Sequence, residues 1–99
     1  MPNYATGENS CHSIMRDSII AAIALNPGNV PARECRAIAY INRGDLNGAI
    51  NDFSEAIRRD PLNARIYGNR AGVYRFLGQF DKALADLDHC LRLSPELLT

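Results

Sequence analysis

The sequence predicts an all-α fold, a helix–turn–helix repeat solenoid of about two and a half units and five helices. Three observations point there. Pro27, Pro61 and Pro95 recur at a constant spacing of 34 residues. Laid over itself at that offset, the chain pairs Arg36 with Arg70, Ala37 with Ala71, Tyr40 with Tyr74, Ala49 with Ala83, Asp52 with Asp86 and Arg58 with Arg92. Gly44-Asp45 and Gly78-Gln79 break each period near its middle, again in register. A fixed period of this length marks units that bury their apolar faces only against their neighbours.

Each element follows from local chemistry. Residues 1–10 are polar and without periodicity, with Pro2, Gly7 and Asn9, and are expected to form a flexible arm. From about Ser13 to Leu25, Met15, Ile19, Ala22 and Ile23 fall on one helical face. Asn26-Pro27-Gly28 ends that helix, since proline cannot continue it and glycine accepts positive φ. Asn29 and Asn63 stand where N-caps belong, and helices are expected over 30–43, 46–59, 64–77 and 80–93. The domain then covers 11–99: a half repeat at 11–29 and repeats at 30–63 and 64–97. Small residues at Ala37, Ala49 and Ala56, and at Ala71, Ala83 and Cys90, let paired helices approach closely. Tyr40, Phe53, Tyr74 and Leu87 are expected to fill the remaining space, while Ile23, Ile57 and Leu91 face the following unit.

The residues Arg33, Arg36, Ala37, Tyr40, Ala49, Phe53, Pro61, and again Tyr67, Arg70, Ala71, Tyr74, Ala83, Leu87, Pro95, keep the spacing of a known pattern. The chain resembles the tetratricopeptide repeat over about residues 13–95. It departs at Arg33, where an aromatic is usual, at Arg36 and Arg70 in place of Leu, and at Ala37 and Ala71 in place of Gly. The resemblance implies a right-handed stack whose concave face holds extended peptides. It is specific for the fold and says little about the partner.

Composition narrows the function. Eleven basic and eleven acidic residues leave no electrostatic footprint for nucleic acid or anionic lipid. The longest apolar run, Ile19 to Leu25, is too short to span a bilayer. Three cysteines without close spacing, Cys11, Cys35 and Cys90, suggest free thiols and a cytoplasmic location. Cys11-His12 and His89-Cys90 sit at opposite ends of the stack, so no metal site and no cofactor are expected. Asp86 and Asp88 point to different faces of one helix, and no nucleophile motif is present, so no enzymatic activity is expected.

What remains is protein binding. With Ala37 and Tyr40 facing the core, Pro31, Cys35, Ile38 and Asn42 point the other way, followed in the next unit by Arg65, Asn69, Gly72 and Phe76. A peptide segment of a protein partner is expected across Ile38, Asn42, Arg65, Asn69, Gly72 and Phe76. Members of the resembling family that grip a carboxylate terminus use Lys, Arg and Asn on these helices. Arg65 and Asn69 match two such places, whereas Glu34 and Ile38 stand where a Lys and an Asn would be. The plainer alternative is that Arg65 and Asn69 are solvated. Gly68 and Gly72 each cost a helix about 1 kcal/mol relative to Ala, which either close helix packing or room for a ligand would offset. The recurring Arg36/Asp52 and Arg70/Asp86 are expected to pair within each unit. A second expectation is self-assembly through the uncapped end of the stack at Leu84 and Leu91, where only Leu97 and Leu98 are at hand as cover and where a homodimer, a domain swap or a downstream segment would each supply it.

Overall fold

The structure, a computed structural model, describes residues 16–95, with side chains from Ile19 onward. The expected arm, Cys11, His12, Met15, Leu97 and Leu98 lie outside the described residues. The helices are α1 (Arg16–Leu25), α2 (Val30–Asn42), α3 (Leu46–Arg59), α4 (Ala64–Phe76) and α5 (Phe80–Leu93). Consecutive helices pack on one another, α2 with α3 and α4 with α5 most extensively, and α4 lies against α3 to join the two units.

The helix boundaries have side-chain causes. Asn29 Oδ1 accepts from the Ala32 N–H at 3.1 Å, Asp45 Oδ1 from Gly48 at 2.9 Å, and Asn63 Oδ1 from Arg65 at 3.1 Å. Each satisfies a backbone donor that the first turn leaves without a partner. At the other ends, Gly44 and Gly78 take φ of +82° and +76°, where a Cβ would be strained. In each turn the glycine N–H bonds back to Ile41 or Arg75, and the next residue bonds to Tyr40 or Tyr74. This paired closure satisfies the last free carbonyls and reverses the chain within two residues.

The central core lies between α2, α3 and α4, where Ala37, Ala49, Phe53, Ala56, Ile66 and Val73 are buried. Phe53 has no exposed surface, a burial that contributes about 1.5–3 kcal/mol. Its cover comes from α4, whose Ile66 and Val73 belong to the following unit. Leu87, one period later, is therefore not the core filler its spacing suggests: it is 42% exposed. Cys35 also departs from expectation. It is buried with Ile19, Ile23 and Ala32 between α1 and α2 rather than standing on the open face. It is disulfide-bonded, so the expectation of free thiols holds at the buried Cys90 and fails at Cys35.

Both expected ion pairs form. Arg36 donates to Asp52 through Nε at 2.7 Å and Nη2 at 2.8 Å, and Arg70 donates to Asp86 through the same atoms, each at 2.7 Å. The two carboxylates are almost wholly buried, which makes bidentate partners a requirement rather than an ornament. Their hydrogen bonds raise the Arg36 and Arg70 guanidinium pKa values, outweighing burial, which pulls the other way. Arg33 adds a third donor to Asp52 at 3.1 Å and reaches the Pro27 carbonyl at 2.7 Å, so the residue that departs from the aromatic pattern ties α2 to the preceding turn. Arg70 also donates to Ser54 at 3.0 Å, linking the units through the same guanidinium.

Candidate peptide-binding groove

Arg65, Asn69, Gly72 and Phe76 lie at spacings of four, three and four along α4, and so share one face of that helix. Ile66 and Val73, about a quarter turn round the helix from this stripe, are buried in the central core. That packing turns the four-residue stripe away from the core. Asn69 and Gly72 are half-buried, and Phe76 is 76% exposed, an unusual position for an aromatic ring. On α2, Ile38 is half-buried and Asn42 exposed.

An ion pair joins the two helices. Arg65 Nε and Nη2 donate to the two carboxylate oxygens of Glu34 at 3.1 and 3.0 Å. Glu34 precedes Ile38 by four residues and Asn42 by eight, so on helical spacing both stripes run onward from this joint. The Glu34 hydrogen bonds also raise the Arg65 pKa. In the sequence pattern Glu34 stands out only as a departure, at a place where a Lys would be. Its signal was available: opposite charges 31 residues apart fall on neighbouring first helices when the period is 34.

The two interior glycines have different reasons. A Cβ at Gly68 would meet Cys90 Sγ at 3.4 Å, so this glycine lies at the close approach of α4 and α5. A Cβ at Gly72 would meet nothing within 4 Å. On the far side of α4–α5, Leu84 is 63% exposed and Leu91 half-buried. His89 stacks on Tyr67 with ring centroids 4.9 Å apart.

Other chemistry is sparse. Among the described residues, no three or more His, Cys, Asp or Glu side chains come together as metal ligands. No helix among them is long and apolar enough to cross a membrane. A shallow depression at the α4–α5 turn is lined only by the consecutive residues Gly78, Gln79, Phe80, Asp81 and Lys82, without convergent polar groups from another element.

Comparison with known proteins agrees with the helix pairs. The family model described as tetratricopeptide repeat matches residues 36–61 and 64–97. The chain is 35% identical over 74 residues to stress-induced-phosphoprotein 1 of Caenorhabditis elegans, covering 75% of this chain and 23% of that protein. It is 47% identical over 47 residues to the Hsp70-Hsp90 organizing protein of Triticum aestivum, covering 48% of this chain and 8% of that protein. With human DnaJ homolog subfamily C member 7 the identity is 44% over 55 residues, 56% of this chain and 11% of the relative. The chain thus spans less than a quarter of the length of each of these relatives. The first match runs from the middle of α2 through α3 and the second spans α4–α5, and the chain belongs to the tetratricopeptide repeat family.

Proposed function

We propose that this chain is a non-catalytic protein-interaction module that holds an extended segment of a protein partner in the groove formed by α2 and α4. The segment contacts Ile38, Asn42, Arg65, Asn69, Gly72 and Phe76. The observation that carries this reading is the open space over Gly72 beside a Phe76 ring that is 76% exposed. A helix that keeps a glycine where nothing crowds it forgoes about 1 kcal/mol, and a backbone approaching at that point gives the glycine a purpose. Covering Phe76 would contribute about 1.5–3 kcal/mol. The Asn69 amide can donate to and accept from the same peptide backbone. The name of one relative supports the class of role, an Hsp70-Hsp90 organizing protein. With so few polar anchors, affinity in the micromolar range is expected, about −8 kcal/mol.

The test compares the native chain with Asn69→Ala and Gly72→Leu in binding a partner captured by the native chain. Both variants should keep native helicity and lose the partner. If both bind as the native chain does, the groove is not the site.

A second reading has its own observation. Leu84 and Leu87 are 63% and 42% exposed on α5, whereas Phe53, the counterpart of Leu87, is fully covered. Self-association through an edge that includes Leu84 and Leu91 would cover them. Sedimentation of the native chain should then show concentration-dependent growth in size that Leu84→Glu abolishes. A native chain that stays monomeric at high concentration removes this reading.

A further inference from the structure

Arg65 is the only charged member of the six-residue groove, and its charge is already matched inside the fold. Glu34 is 7% exposed, and both of its carboxylate oxygens accept from one edge of the Arg65 guanidinium. That edge is the side-on fork of the guanidinium, so a ligand carboxylate is left only the end formed by Nη1 and Nη2, beside the Glu34 carboxylate. The Arg65 side chain itself is 67% exposed, and its two bonds to Glu34 use Nε and Nη2 rather than Nη1. It can still donate singly to a neutral carbonyl. An anion arriving there meets a neutralised pair with a carboxylate beside it, and partly buried charges are screened weakly by salt. Arg75, a cation at the far end of the α4 stripe, lies ten residues further along α4, about 15 Å away along the helix axis. One carboxylate cannot engage both.

We propose that Glu34 is a specificity-determining residue of the groove: by holding Arg65 it turns away segments that end there on a free carboxylate and selects an uncharged internal stretch of a partner protein. The backbone of that stretch meets Asn42 and Asn69, and its apolar side chains meet Ile38 and Phe76. This rests on the groove reading above. Glu34 acts on the ligand through Arg65, so it is a positioning residue, and a purely structural strut between units would leave ligand preference untouched.

The experiment uses the full chain and a random octapeptide library anchored at its N-termini, prepared as two pools that differ only in a C-terminal carboxylate or amide. The native chain should retain the amide pool at least as well as the carboxylate pool. Glu34→Gln, which keeps the side-chain shape and removes the charge, should shift the ratio toward carboxylates by tenfold or more. Adding Arg65→Gln should abolish that shift. A native preference for carboxylates of tenfold or more, or a ratio unmoved by Glu34→Gln, overturns the inference. Gly72→Leu separates it from the reading beneath. If Gly72→Leu abolishes retention of both pools while Glu34→Gln leaves the ratio unchanged, only the role of Glu34 fails. If neither pool is retained, or Gly72→Leu has no effect, the groove and the selectivity fail together.

Discussion

Replacing Gly72 by alanine should stabilise the protein, and the size of the gain follows from what surrounds the residue. Gly72 is interior to α4, and its φ is not positive, so alanine suits the backbone. A methyl group there meets no heavy atom within 4 Å, so there is neither a clash to relieve nor a contact to gain. Helix propensity is then the whole effect, about 0.8–1.0 kcal/mol in favour of alanine. For a domain of this size, 1 kcal/mol moves the melting temperature by about 4–8 °C. Gly48 is the control. A Cβ there would stand 2.8 Å from Asp45 Oδ2 and 3.0 Å from Tyr40 Cδ2. Asp45 caps α3 through the Gly48 N–H, and losing such a cap costs about 1 kcal/mol. Gly48→Ala should therefore show no gain or a net loss. Thermal and urea melts followed by helical circular dichroism measure both variants. A lower melting temperature for Gly72→Ala would refute the reasoning, because something must then occupy the space over the groove in the free protein.

Three further outcomes are expected. Asp52→Ala leaves Arg36 and the mostly buried Arg33 without their carboxylate, and should cost about 3–5 kcal/mol in urea unfolding; a loss below 1 kcal/mol would mean that solvent already screens the pair. Phe53→Ala should cost about 3–5 kcal/mol, whereas Leu87→Ala, at the equivalent but 42% exposed position, should cost clearly less; equal losses would show that α5 is covered in solution. Hydrogen bonds from Arg58 and then Arg59 lower the Glu55 pKa from 4.5 to about 2. A lowered folded-state value means stability that is present above 4.5 and lost as pH falls toward about 2. The acid limb of native stability should accordingly be steeper than that of Glu55→Gln over this window. The difference should shrink in about 1 M salt, where the screening length is near 3 Å.

Much of the fold was legible because repeat proteins write local rules twice. The caps at Asn29 and Asn63, the turns at Gly44 and Gly78 and the pairs Arg36–Asp52 and Arg70–Asp86 all recur at one offset. A contact within a unit must recur with it. Helix ends came within one residue at Asn42 and Phe76, since capping and positive φ act on neighbouring atoms. The proposed groove was legible only as a stripe on α4. Helical period places Arg65, Asn69, Gly72 and Phe76 on one face, but it does not say what lies over that face.

The sequence by itself determined the period, the five helices and the pairing of helices within each unit, because these depend on spacing along one chain. Tertiary structure decided the contacts between units. Only stacking brings Ile66 and Val73 over Phe53, while Leu87, with the same local pattern, stays exposed. Only stacking sets Glu34 against Arg65 and Ser54 against Arg70, and buries Cys35 beneath α1. It also separates two glycines four residues apart, one against Cys90 and one open to solvent. The physical reason is common to all of these. Propensity and periodicity report which face of a helix is apolar or polar, whereas burial and ion pairing depend on what a second helix brings to that face.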